Sequence, residues 1–200
     1  MQLQPQLILA SSSPRRKELL QSLGLQFSVI PSSASEEISG GAEPQEFVKI
    51  LAERKAIDVA THIAVSNTPT VVIGADTIVV RDGVILGKPH HAQHAIEMLN
   101  QLQGQTHEVY TGICVLGVNQ DIEQKFTDYV STKVTMRALS MLEIERYVDT
   151  GEPMDKAGAY AVQGLGSTLI THINGDYFTV VGLPLALLSH YLNHFDIHPF

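Results

Sequence analysis

Three basic residues stand at the wrong end of a helix near the start of the chain. The segment Leu7 to Leu20, LILASSSPRRKELL, reads as a buried strand over 7–10, then a hydroxyl-rich turn. A helix follows, opened by Pro14 with Ser13 as its cap. Leu19, Leu20 and Leu23 supply its apolar stripe and Gly24 its stop. Yet Arg15, Arg16 and Lys17 face the positive end of the helix dipole, and each such cation costs on the order of 0.3–1 kcal/mol. An anion docked there reverses the sign, using backbone N–H groups, the hydroxyls of Ser11 and Ser13, and guanidinium donors together. A phosphate is the expected guest; the plainer alternative is an exposed helix whose fold absorbs the penalty. Arg15 and Arg16 lie about 100° apart around a helix, so two separate tasks are expected rather than one shared grip.

Asp76 is one carboxylate inside the apolar run Val71 to Val80, VVIGADTIVV. Buried and ionised, it needs a cation, hydrogen bonds or a metal. Either it belongs to an active site or it caps a bend made by Gly74. Glu152 to Gly158, EPMDKAG, alternates acids and a base between proline and glycine. That suits a metal and phosphate loop, and an exposed turn would look the same. Lys55 and Lys88 are further cations, each a surface lysine if taken singly. His90 with His94, and His190 with His194, are spaced to share a helix face. Neither pair carries the glutamate of a zinc hydrolase, so no metal is assigned to them. Acids with lysines and arginines fit metal-assisted phosphoryl chemistry best.

The chain must position these groups with 200 residues, 44% of them hydrophobic and 17% charged, enough for a single domain over 1–200. A net charge of −8 argues against a nucleic-acid binder and makes the basic cluster more conspicuous. Cys114, the one cysteine, reads as a small buried hydrophobe. No leader pattern or apolar run of membrane length is present, so a soluble, cytoplasmic protein with no membrane partner is expected.

Periodicity predicts strands at 26–30, 70–80, 84–86, 106–116 and 122–136. It predicts a helix over 44–64, with Phe47, Ile50, Leu51, Ile57 and Val59 roughly on one face, and others over 91–102 and from the capping box of Ser140 and Glu143 to Gly151. Pro184 opens the last helix. Residues 31–42 form a polar loop carrying Glu36 and Glu37. Residues 152–166 read as a functional loop with a short strand inside, and 168–173 with 177–181 as a hairpin about Asn174 and Gly175. The expected fold is α/β, a mixed twisted sheet flanked by helices, in two lobes around a central cleft.

Five motifs carry a resemblance: Ala10 to Arg16 (ASSSPRR), Gly74 to Thr77 (GADT), Gly87 to Pro89 (GKP), Thr150 to Tyr160 (TGEPMDKAGAY) and Val180 to Pro184 (VVGLP). In order, and over nearly the whole chain, they resemble the Maf family of nucleoside triphosphate pyrophosphatases, whose fold is inosine-triphosphatase-like. The resemblance implies cleavage between the α and β phosphorus atoms of a nucleoside triphosphate, with Mg²⁺ or Mn²⁺, by a cytoplasmic protein that is often a homodimer. It implies Asp76 as the acid that takes water's proton or binds the metal. Glu36 belongs to the same metal-binding acidic cluster, adjacent Glu37 being the alternative. Lys55 and Lys88 fall on the phosphates, Arg16, Ser11 and Ser13 in the phosphate-gripping loop, and Lys156 in the substrate loop. Arg15, Thr77 and Gln163 match positions associated with base selectivity.

The stretch Asp155 to Tyr160, followed by Gln163 and Gly164, resembles the branch acting on dTTP and UTP. The 7-methyl-GTP branch typically has a cysteine where Lys156 stands. Ala161 departs from the glycine common in the dTTP/UTP branch. A glutamine offers one donor and one acceptor, as the imide edge of uracil or thymine requires. Hydrolysis of dTTP and UTP is therefore expected. The alternatives are a 7-methyl-GTP or inosine triphosphate pyrophosphatase, or a nucleotide-binding regulator of septum formation.

Overall fold

Short apolar runs buried on both faces build parallel strands, and two such runs start the sheet. A computed structural model describes residues 5–38, 41–63, 68–119 and 121–200. In it β1 (Gln6–Leu9) pairs in parallel with β2 (Ser28–Val29) on one side and β3 (Thr70–Arg81) on the other, Leu9 opposite both Val29 and Ile73. β4 (Val84–Leu86) returns antiparallel on β3 across Asp82 and Gly83, which both take positive φ (49° and 77°) as a two-residue hairpin turn requires. β5 (Thr106–Asn119), β6 (Asp121–Met136) and β7 (Ile170–Asn174) complete a mixed seven-stranded sheet in the order β2-β1-β3-β5-β6-β7, with β4 off that path. The chain divides into two compact units. One comprises Met1–Asp76, Thr111–Val130 and Gly182–Phe200, the other Thr77–Tyr110 and Ser131–Val181. The mixed α/β sheet and the division in two match the expected architecture.

In the first unit, α1 (Pro14–Ser22) starts as expected. Ser13 Oγ accepts from the Arg16 N–H, and Leu19 and Leu20 are buried. Helix α2 (Pro44–His62) lies where two glycines leave room for it. A Cβ on Gly74 would sit 2.2 Å from the Ala52 carbonyl oxygen, and one on Gly112 2.3 Å from that of Val48. The buried face of α2 is consequently Val48, Leu51, Ala52, Ala56, Val59 and Ala60. That corrects the expected face, because Phe47, Ile50 and Ile57 are only half-buried. Small residues win these places because the backbones approach too closely for large ones. The last helix, α6 (Leu185–Leu192), follows Pro184 and buries Leu188 and Leu192.

The second unit holds α3 (Ala92–Leu102) and α4 (Met141–Asp149) over a core that includes Val79, Leu99, Ile144, Tyr147 and Tyr160. The expected capping box is present: Glu143 N–H donates to Ser140 Oγ, and Ser140 N–H donates to the Glu143 carboxylate at 2.8 Å. Those Ser140 bonds, with Arg137, hold the Glu143 carboxyl down at about 2.

Three expectations are corrected. The strand expected at 26–30 pairs only over Ser28–Val29, as an edge strand beside the four-residue β1. Residues 152–166 contain no strand; 3₁₀ turns at Glu152–Asp155 and Ala157–Ala159, and another starting at Gly164, take its place. The second arm of the expected hairpin is a helix, α5 (Tyr177–Val181). Asp176 decides this, because its carboxylate accepts from the N–H groups of Phe178 (3.3 Å) and Thr179 (2.8 Å). Thr132 Oγ1 in turn clasps both backbone groups of Asp176 at 3.0 Å. A satisfied cap outweighs the β-propensity of Tyr-Phe-Thr-Val-Val.

Candidate functional site

The close approach of Ala56 to Gly74 also brings two charges together. Lys55 adjoins Ala56 on α2, and Asp76 lies two residues beyond Gly74 on β3. Lys55 Nζ donates to Asp76 Oδ1 at 2.6 Å and to Glu36 Oε1 at 2.6 Å. The Lys55 and Asp76 side chains keep only 14% and 10% of their exposure, whereas Glu36 keeps 59%. A withdrawn carboxylate thus receives the cation it needs from a helix, with a second, wetter acid on the same ammonium. The acid brought there is Glu36; Glu37 meets α2 through its backbone carbonyl, which accepts from Arg54 Nη1 at 2.6 Å.

Arg16 is buried and turns inward. Its Nε donates to the Gly182 carbonyl at 2.7 Å and its Nη1 to Ser11 Oγ at 3.3 Å, while Ser11 Oγ also accepts from Ser13 N–H. Burial lowers the Arg16 pKa from its usual value, Asp76 and Glu36 acting to raise it and Arg15 to lower it. Arg16 therefore lies within the field of both carboxylates. Its burial refines the sequence reading, since Arg16 ties α1 to the chain before α6 through the Gly182 carbonyl. Arg15 is half-buried and Lys17 exposed, so the neighbouring bases do have different surroundings.

Two residues of this unit escape the sequence reading. Asp58 Oδ2 accepts from Ser32 Oγ (2.8 Å) and from Ser33 N–H (2.7 Å), and Arg54 donates to the Glu37 carbonyl. The Ser32 hydroxyl, then the Ser33 N–H, holds the Asp58 carboxyl below its ordinary range. Spaced i, i+4 on α2, the two clasp the backbone on either side of Glu36. Their spacing beside a serine-rich loop is the signal that could have found them.

In the second unit Thr77 is half-buried on β3 and Lys88 exposed in the loop after β4. The Gly87 carbonyl accepts from Gly158 N–H at 3.0 Å, which joins the Lys88 loop to the segment carrying Lys156. Lys156 Nζ donates to the Glu152 carbonyl at 2.6 Å and pairs with Asp155. Glu152 accepts from Tyr147 and from the turn that follows Gln163, and Gln163 itself is half-buried. The structure thus groups Ser11, Ser13, Arg16, Glu36, Lys55 and Asp76 in one unit, and Thr77, Lys88, Lys156 and Gln163 in the other.

The remaining candidates have structural explanations. His91 Nδ1 caps α3 by accepting from His94 N–H, and the rings of His90 and His94 stack at 5.1 Å. His190 and His194 meet edge to face at 5.5 Å. Cys114 is buried, and burial pushes its thiol up to about 11, away from nucleophilic use. Among the described residues no group of three or more His, Cys, Asp or Glu is placed to hold a metal. Asp76 and Glu36 nevertheless suit Mg²⁺ or Mn²⁺, because such ions usually take one or two carboxylates and complete their shell with water and phosphate oxygens. A cationic group already sits between these two acids.

A family model described as Maf-like protein matches residues 6–195. A dTTP/UTP pyrophosphatase of Bacillus pumilus is 49% identical over 195 residues, which cover 98% of this chain and 99% of that protein. A dTTP/UTP pyrophosphatase of Desulforamulus reducens is 48% identical over 191 residues, 96% of this chain and 97% of the other. A solved nucleoside-triphosphatase / dITP/XTP pyrophosphatase of Mycobacterium abscessus aligns over 94% of this chain and 96% of its own. Its TM-score of 0.40 and 12% identity are too low to add weight.

Proposed function

The chain belongs to the Maf-like family, and on that premise we propose that it hydrolyses nucleoside triphosphates, dTTP and UTP foremost, to the monophosphate and pyrophosphate. The observation that carries the reading is the convergence of Glu36 and Asp76 on Lys55, next to a serine turn anchored by Arg16. Near-half identity, over nearly full length, to proteins named for that activity supports it.

Asp76 and Glu36 would hold the divalent cation, which polarises a phosphoryl oxygen and lowers the pKa of a bound water. Asp76, paired with Lys55, is the base we assign for the proton that water gives up as it adds to phosphorus. The bond between the α phosphorus and its bridging oxygen breaks, and pyrophosphate carries the electron pair away. When substrate arrives, Lys55 has a flexible stem on which to pass from carboxylate to phosphate oxygens. Arg16, held at Nε by Gly182, and the turn of Ser11 and Ser13 supply fixed donors to the phosphate chain. We assign phosphate contacts also to Lys88 and Lys156, and base contacts to Arg15, Thr77 and Gln163. The Gln163 amide matches an imide edge with one donor and one acceptor. Among the described residues no helix is long and apolar enough to cross a membrane, and a cytoplasmic homodimer completes the proposal.

The test is a panel of dTTP, UTP, CTP, ITP and 7-methyl-GTP with Mg²⁺ and the purified protein. Pyrophosphate release should be fastest from dTTP and UTP. Preference for 7-methyl-GTP would overturn the substrate assignment, and no turnover of any triphosphate would overturn the activity itself.

A further inference from the structure

Glu152 is a carboxylate in a loop rich in charge, yet its oxygens are committed to two backbone amides and a tyrosine hydroxyl. Oε1 accepts from Tyr147 Oη at 2.9 Å and from Gly166 N–H at 2.8 Å, and Oε2 accepts from Leu165 N–H at 3.0 Å. Tyr147 Oη accepts in turn from Ala161 N–H at 3.1 Å. The bonded amides at 161, 165 and 166 therefore bracket Gln163 on both sides. The turn is drawn tightly onto the pair. A Cβ on Gly164, where φ is +66°, would lie 2.6 Å from Glu152 Oε2, and one on Gly166 would lie 2.6 Å from Tyr147 Oη. Tyr147 is itself rooted in the core of its unit, on the capped helix α4.

We infer that Tyr147 and Glu152 are a positioning pair that fixes the turn bearing Gln163, and thereby sets which base the protein accepts. The inference rests on the proposed base-reading role of Gln163. An amide distinguishes an imide edge from the cytosine edge only if it is held within a few tenths of an ångström and a narrow range of angles. The Glu152 backbone carbonyl accepts from Lys156 Nζ, a bond that Glu152→Gln leaves in place, and the water attack is assigned to Asp76, Lys55 and Glu36. Loosening the pair should therefore blur selection while leaving the reaction.

The experiment compares kcat/KM for UTP and CTP in wild type, Tyr147→Phe, Glu152→Gln, Gln163→Ala and the double variant Tyr147→Phe/Gln163→Ala. Tyr147→Phe keeps the buried ring and removes only the hydroxyl, so its folding is checked by thermal melting and it decides the matter if Glu152→Gln fails to fold. The UTP-over-CTP ratio should fall about three- to tenfold in each single variant; in Tyr147→Phe and Glu152→Gln the loss should lie in KM for UTP, with kcat within about threefold of wild type. Adding Tyr147→Phe to Gln163→Ala should lower the ratio no further, since the hydroxyl acts through the missing amide. If Gln163→Ala lowers the ratio while Tyr147→Phe and Glu152→Gln leave it intact, the positioning pair is overturned. A ratio unmoved by Gln163→Ala overturns the base-reading role beneath it instead. A further fall in the double variant also counts against the pair, because it would then act elsewhere.

Discussion

Asp76 and Glu152 are two carboxylates drawn in from water and held in opposite ways. Asp76 faces an ammonium on a four-carbon stem, shared with Glu36, and lies in the field of Arg16. Glu152 faces two backbone N–H groups and a core tyrosine. Burial alone would raise the Glu152 pKa, but the bonds from Gly166, Leu165 and Tyr147, with the Lys156 charge, bring it below the ordinary value. A side-chain cation can swing aside when a better one arrives, whereas backbone amides have nowhere else to go. The first arrangement leaves a carboxylate able to exchange partners, and the second makes one part of the scaffold. What separates the two is the mobility of the partner.

Substitutions at the two acids should therefore have crossed effects. Asp76→Asn should cut pyrophosphate release by at least about a hundredfold, as loss of a positioned base does, with the melting temperature nearly unchanged. A variant retaining a tenth of the activity would break the contrast.

Acid should strike the second unit next. His107 is buried on β5, bonded through Nε2 to Tyr160 Oη at 2.7 Å, and its Nδ1 meets no partner among the described residues. Burial, helped by the Arg81 charge, lowers its pKa from 6.5 to about 4. The folded protein thus binds fewer protons between these values. This stability is complete above pH 6.5 and is lost as pH falls towards about 4. The loss should be on the order of 3 kcal/mol. Denaturant unfolding at neutral and acid pH measures it, and His107→Phe should flatten the acid slope; an unchanged slope overturns the assignment.

Glu152→Ala leaves the amides of Leu165 and Gly166 without their acceptor and should cost about 2 kcal/mol, or roughly 4–8 °C in melting temperature. Triphosphate turnover should persist below that temperature. Equal melting temperatures for Glu152→Ala and wild type would mean that the scaffold carboxylate is no more fixed than Asp76. The smallest effect is expected at Asp58, whose carboxylate ties Ser32 and Ser33 near the Glu36 loop. Asp58→Ala should raise the Mg²⁺ concentration for half-maximal activity about three- to tenfold, roughly 1 kcal/mol of lost order. No change in the Mg²⁺ titration would show that the Glu36 loop holds itself.

Legibility follows range. Ser13 as a cap, the box of Ser140 and Glu143, and the Asp82 and Gly83 turn are all readable, because each is settled by atoms a few residues apart. The inventory of acids and bases, the motifs and the α/β class are readable too. The face of α2 is not, since it depends on the glycines of β3 and β5 beneath it. The helix at Tyr177–Val181 escapes a linear reading because its cap, though local, is held by Thr132, 44 residues away.

Chain order settles local matters: where helices start, where turns reverse, and which chemical groups the protein owns. The partnerships belong to the folded molecule: Glu36 rather than Glu37 at Lys55, Arg16 on a carbonyl 166 residues away, and Glu152 as anchor rather than reactive acid. A hydrogen bond or ion pair forms only between groups that packing brings within about 3 Å, and packing is a property of the whole chain, not of any window along it.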